Sequence, residues 1–123
     1  MRILIVDDDP LVLQTLQAIL EAEGHSVTAS SGGQEGLDAF KLAQIGLDPF
    51  GLVITDAGMP NVDGYRVVTV VKEISPSTPV IMFTGSPKRS ISRDDDSFQE
   101  DLVLAKPPNM RELRAAVARF SGR

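Results

Sequence analysis

Four short, largely apolar runs, each followed by a polar or charged side chain, set the strongest limit on how this chain can fold. They are Ile3 to Val6 before Asp7, Leu52 to Thr55 before Asp56, Pro79 to Phe83 before Thr84, and Leu102 to Ala105 before Lys106. Continuous apolar runs of this length suit strands covered on both faces, the condition met in parallel sheets. Ser26 to Ser30 is a fifth, more polar strand candidate. Helical signals fill the intervals. Asp9 can cap a helix, Pro10 suits its first turn, Leu13, Leu16 and Leu20 share one face, and Gly24 stops it. Gly33 to Ala43, Gly64 to Ile74 and Asn109 to Phe120 also read as helices, the last with Leu113, Val117 and Phe120 on one stripe. Between the fourth and fifth strands, Pro87 to Gln99 has a thin apolar stripe, because Lys88 to Asp96 is almost wholly polar; a short or mobile helix is expected there. Alternating strands and helices predict an α/β fold, a doubly wound five-stranded parallel sheet inside a three-layer sandwich.

Length and charge narrow the function. A chain of 123 residues, 42% of them hydrophobic, fits one domain over residues 1–123 with one site to carry its activity. Its formal charge of −5 repels phosphate backbones and anionic lipid surfaces, so neither direct nucleic-acid binding nor membrane attachment is expected. The absence of cysteine removes disulfides, thiolate catalysis and thiolate zinc sites, and suits a reducing compartment. The apolar stretch after Met1 and Arg2 is too short for a signal-peptide core or a membrane span. A soluble, cytoplasmic protein is the expectation.

Ligands in doubly wound sheets bind at the carboxyl ends of the strands, near the point where winding reverses. Asp7, Asp8, Asp56, Thr84 and Lys106 all fall at strand ends and would meet on that rim. Carboxylates gathered there would raise one another's pKa unless a cation neutralised them. Oxygen-only donors select a hard ion, and Mg²⁺ takes one or two carboxylates while leaving places for phosphate oxygens. Lys106 and Thr84 add donors suited to a phosphoryl group in transfer. Asp56 is the favoured nucleophile towards phosphorus, forming an aspartyl phosphate, since the adjacent pair Asp7 and Asp8 is better placed to hold the ion. These residues alone leave the choice among the carboxylates open.

Four blocks then stand together: Ile3-Leu4-Ile5-Val6-Asp7-Asp8-Asp9-Pro10, Thr55-Asp56-Ala57-Gly58-Met59-Pro60-Asn61-Val62-Asp63-Gly64, Phe83-Thr84-Gly85, and Ala105-Lys106-Pro107. In that order and approximate spacing the whole chain resembles the receiver domains of two-component response regulators. The resemblance implies a flavodoxin-like sandwich and a phosphoacceptor domain rather than an enzyme. Asp56 would take its phosphoryl group from a phosphohistidine of a sensor histidine kinase or histidine phosphotransfer protein, or from acetyl phosphate. Asp8 and Asp56 would bind Mg²⁺ directly, the Gly58 carbonyl would complete the protein ligands, and Asp7 would act mostly through metal-bound water. Lys106 would pair with the acceptor carboxylate and then the phosphoryl oxygens, Thr84 would reorient towards them, and the Lys106–Pro107 bond would be cis. A downstream effector protein or output domain would read the change, with a homodimer left open.

This sequence also departs from the family's pattern. Val103 stands where a switching aromatic is usual, Gln99 and Glu100 replace a Gly-Ala pair, and the stretch from Ala43 to Gly51 is a few residues longer than typical. Gly58 and Ser86 are small, which by analogy opens the phosphoryl group to water. These departures motivate an alternative, a receiver-like interaction scaffold that no longer switches by phosphorylation. An aspartyl hydrolase is the weaker third reading, since it normally needs a second aspartate where Gly58 stands. Ordinary structural roles suffice elsewhere: Asp63 and Gly64 for turn and helix entry, Gly32, Gly33 and Gly36 for a helix start, His25 for an exposed strand start, Asp94 to Asp96 for solvated charge, and Tyr65 and Met82 for packing.

Overall fold

Ile3, Leu4, Ile5 and Val6 are all buried, yet neighbouring residues of a strand point to opposite faces, so both faces of their sheet must be covered. The computed structural model, which describes residues 1–85, 101–106 and 109–121, covers them with helices. In chain order the elements are β1 (Arg2–Val6), α1 (Pro10–Ala22), β2 (Ser26–Ser30), α2 (Gly33–Ile45), β3 (Leu52–Asp56), α3 (Gly64–Ile74), β4 (Val80–Thr84), β5 (Leu102–Ala105) and α4 (Met110–Phe120). All strand pairs are parallel, in the order β2-β1-β3-β4-β5. The order reverses direction at β1 and β3, so a crevice opens between their carboxyl ends.

Strand alternation divides the core into two layers. Leu4, Val6, Val53, Val80 and Met82 pack with Leu37 and Phe40 of α2 and with Val67, Val68 and Val71 of α3. Ile3, Ile5, Leu52, Ile54, Ile81 and Phe83 pack with Leu13, Leu16 and Leu20 of α1 and with Leu113 and Val117 of α4. Full burial of one such side chain is worth about 1.5–3 kcal/mol. The expected α/β sandwich is therefore present, with the polar β2 and the half-buried β5 at its two edges.

Element ends differ from expectation for local reasons. Helix α1 starts as foreseen, with the Leu11 N–H donating to Asp9 Oδ1 at 2.9 Å. Helix α2 continues two residues past Ala43, because nothing breaks it before Gly46; Leu47 then turns left-handed at φ 59°, and the Asp48 N–H closes onto the Ala43 carbonyl at 3.1 Å. The fourth strand is shifted by one residue from Pro79–Phe83. Pro79 has no N–H to give the ladder, although its carbonyl accepts from Val53 N–H at 3.1 Å, and Thr84 pairs with Ala105. The expected helix over Pro87 to Gln99, the Asp94 to Asp96 run, Gln99, Glu100, Ser86 and the Lys106–Pro107 bond lie outside the described residues.

Candidate functional site

The crevice is furnished by residues that directly follow β1, end β3, and follow β5. Asp7 leaves β1 with its N–H on the Ser30 carbonyl at 3.1 Å, which turns its side chain into the crevice mouth and leaves it 3% exposed. Its Oδ1 accepts the Asp9 N–H at 2.9 Å. Asp56 ends β3 and is 6% exposed; its Oδ1 accepts the Gly58 N–H at 3.3 Å. Lys106 is fixed at the end of β5 by its N–H on the Thr84 carbonyl at 2.9 Å. From there its Nζ lies 3.1 Å from Asp7 Oδ2 and 3.1 Å from Asp56 Oδ2.

Asp8 is exposed, and one oxygen from each of Asp7, Asp8 and Asp56 lies within 4.8 Å of the others. Three carboxylates against one ammonium leave two negative charges. Burial pushes the Asp7 carboxyl above its ordinary range and the Asp56 charge adds to this, outweighing the hydrogen bonds from the Asp9 N–H and Lys106. For Lys106, burial works against the charged form, but hydrogen bonds to Asp7 and Asp56 outweigh it and raise its pKa. Oxygen donors carrying an uncompensated charge of two are the donor set a small divalent cation takes.

The turn after β3 is shaped by close backbone approach. A Cβ on Gly64 would stand 2.2 Å from the Asp56 carbonyl oxygen, so only glycine lets α3 begin there. Asp63 caps that helix, its Oδ1 accepting from Arg66 N–H at 3.0 Å. Gly33, read from sequence as part of a helix start, has a second role that the sequence did not disclose. A Cβ there would lie 2.1 Å from the Val62 carbonyl oxygen, so α2 seats the turn that carries Gly58. Beside Asp8 this seat leaves a cleft of about 240 Å³ lined by Gly32, Gly33, Gln34, Pro60, Asn61 and Val62.

Asp7, Asp8, Asp56 and Lys106 thus meet on one rim, and Thr84 ends the neighbouring strand, buried. Gly58 lies in the turn, where its N–H faces Asp56. Sequence reasoning assigned Asp7 to the ion and overlooked its direct pairing with Lys106, a contact reaching across from β1 to β5, which stand on either side of β3 and β4. Val103 is half-buried on β5, and Met82 and Tyr65 pack against the α2–α3 layer. His25 departs from its expected exposure. It precedes β2 at the far end of the sheet, half-buried, its Nδ1 3.0 Å from the Met1 amino group.

Comparison with known proteins agrees with this geometry. The chain is 30% identical over 112 residues to the response regulator receiver protein CpdR of Brucella abortus, covering 91% of this chain and 89% of that protein. It is 32% identical over 114 residues to the two-component response regulator ORR22 of Oryza sativa, covering 93% of this chain but only 16% of that longer protein. Among solved structures, the response regulator protein TrrA from Thermotoga maritima, in complex with Mg(2+)-BeF, superposes with a TM-score of 0.78 at 29% identity over 97% of each chain. No helix among the described residues is long and apolar enough to cross a membrane. With residues 3–118 matching the family's sequence profile and an acidic crevice closed by a lysine at the switch point of its sheet, the chain belongs to the response regulator receiver domain family.

Proposed function

We propose that this chain accepts a phosphoryl group on Asp56 from a phosphohistidine of a sensor histidine kinase or histidine phosphotransfer protein, in a Mg²⁺-dependent reaction. The observation that carries this reading is Lys106 Nζ at 3.1 Å from both Asp7 and Asp56, with the Asp8 carboxylate in the same cluster. Asp8, Asp56 and the Gly58 carbonyl would hold the ion, with Asp7 acting through water. When bound, Mg²⁺ supplies relief of carboxylate repulsion and stabilisation of charge on the phosphoryl oxygens. TrrA, similar over 97% of this chain, binds Mg(2+)-BeF.

The chain's own residues account for the rest. An Asp56 carboxylate oxygen attacks phosphorus; the new P–O bond forms as the P–N bond of the donor breaks, and its electron pair returns to the imidazole nitrogen. Lys106, kept protonated by its two carboxylate partners, exchanges part of that pairing for the phosphoryl oxygens, and the Thr84 hydroxyl hydrogen-bonds them from the end of β4. Hydrolysis reverses the gain: water attacks phosphorus and the Asp56 carboxylate leaves. The added charge, about −1.5 to −2, acts on the ends of β4 and β5 and alters the surface read by an effector protein or output domain. The scaffold alternative rests on Val103 and the other departures from the family pattern, whereas the meeting of Asp7, Asp8, Asp56 and Lys106 at one site favours the phosphoacceptor reading.

The test is to add Mg²⁺ with beryllofluoride or acetyl phosphate and follow amide resonances and intact mass. Wild type should respond at the Thr84 and Lys106 amides, and Asp56→Asn should not. Equal responses from both chains would refute Asp56 as the acceptor.

A further inference from the structure

Lysine is the residue least expected in a core, yet Lys72 on α3 keeps a side chain only 8% exposed. Its Nζ donates to the Thr78 carbonyl at 2.7 Å, to the Pro76 carbonyl at 3.4 Å and to Asp101 Oδ2 at 2.8 Å. The same Asp101 oxygen accepts the Val80 N–H at 2.7 Å, while the Asp101 N–H donates to the Val80 carbonyl at 2.8 Å. Asp101 immediately precedes β5, and Val80 opens β4. A buried ammonium therefore ties α3 and the start of β4 to the residue from which β5 departs.

That tie matters because β5 is a short edge strand held on one side only, by β4. It has four residues, lies at a sheet edge, and buries none of them fully. Its register decides where Lys106 points, since a shift of one residue turns every side chain to the other face. At roughly 3.3 Å per residue, Asp101 stands about 17 Å back along the strand from Lys106. We propose that Lys72 and Asp101 are positioning residues, a charged clamp that fixes the register of β5 and so delivers Lys106 Nζ to Asp56. This rests on the reading of Asp56 as acceptor given above.

The clamp acts on Lys106 without touching the carboxylates, which stand on β1 and β3. The experiment compares wild type, Asp101→Asn and Lys72→Arg for Asp56 phosphorylation by acetyl phosphate at saturating Mg²⁺, for Mg²⁺ affinity, and for the Lys106 and Thr84 amide resonances. A misplacement of about 1 Å near reacting groups can cost on the order of a hundredfold, so Asp101→Asn should slow phosphorylation by about tenfold or more. It should move both amide resonances without weakening Mg²⁺ binding, since Lys106 competes with the ion for Asp7 and Asp56, whereas Lys72→Arg, which keeps the cation, should retain most of the rate. Should Asp101→Asn fail to fold, Asp101→Glu takes its place, because it keeps the charge and displaces it by one methylene. A folded variant with the wild-type rate and an unmoved Lys106 amide overturns the clamp, as does a loss of rate matched by an equal loss of Mg²⁺ affinity. A wild-type chain that takes no phosphoryl group overturns the acceptor reading instead.

Discussion

Replacing Asp7 by asparagine tests the electrostatics of the crevice in a form that stability can measure. Two carboxylates 4.8 Å apart, the outer limit of the cluster, repel by about 3.5 kcal/mol at an effective dielectric constant near 20. Asp7 faces Asp56 at or within that distance, and exposed Asp8 adds a solvent-screened share. Lys106 at 3.1 Å returns about 5 kcal/mol on the same scale, but it also serves Asp56, and burial opposes the charge throughout. Burial, the largest influence, tips the balance against the ionised form and raises the Asp7 pKa, with the Asp56 charge adding to it. A raised pKa means that the folded protein binds a proton the unfolded chain has released. The stability tied to Asp7 is therefore complete in acid and is lost as pH rises from about 3.8 through the folded value. Asparagine keeps an acceptor for the Asp9 N–H and removes the charge. In EDTA at neutral pH, Asp7→Asn should match or exceed wild type by about 1 kcal/mol, near 4 °C in melting temperature for a chain of this size. Mg²⁺ should then stabilise wild type by about 1.4 kcal/mol at ten times its dissociation constant, and the variant by less. Calorimetry with and without the ion reads both arms. A variant that melts well below wild type in EDTA would refute the charge balance.

Three further perturbations report on other parts of the molecule. Gly64→Ala drives a Cβ into the Asp56 carbonyl, 2.2 Å away, and should cost about 3 kcal/mol or more in urea unfolding; a cost below about 1 kcal/mol would mean that the turn yields freely. Lys106→Met removes the ammonium from Asp7 and Asp56 and should slow Asp56 phosphorylation by about 10²-fold or more, measured by mass against time. Leu11 is 69% exposed in the first turn of α1, at the rim of a groove shared with Val12, Thr15, Leu16 and Met110. Leu11→Asp should slow transfer from a histidine phosphotransfer protein and leave acetyl phosphate unaffected, so equal slowing of both donors would refute a docking role.

Much of this architecture was legible because burial leaves a one-dimensional trace. The runs ending at Val6, Thr55 and Phe83 marked central strands, since a strand covered on both faces is built mostly of apolar residues. Ser26 to Ser30 looked weaker because it is an edge, and the structure keeps it there. The gathering of Asp7, Asp8, Asp56 and Lys106 followed from strand ends alone. Contacts made by backbone or by atypical burial were not legible. Gly33 resembled an ordinary helix start, since nothing in its neighbours announces the Val62 carbonyl beside it. Nothing in the helical pattern singles out Lys72, and only the three-dimensional return of Asp101 shows that it is buried. The pairing of Asp7 with Lys106 joined the first strand to the last, a distance in sequence that local patterns do not span.

The two separate apolar layers have an evolutionary consequence. Because the strands stand between them like a party wall, a change of side-chain volume under α2 or α3 reaches α1 and α4 only by bending the strands themselves. Each side can be remodelled over generations with little correction required of the other, while the crevice at the top of the wall keeps its outline.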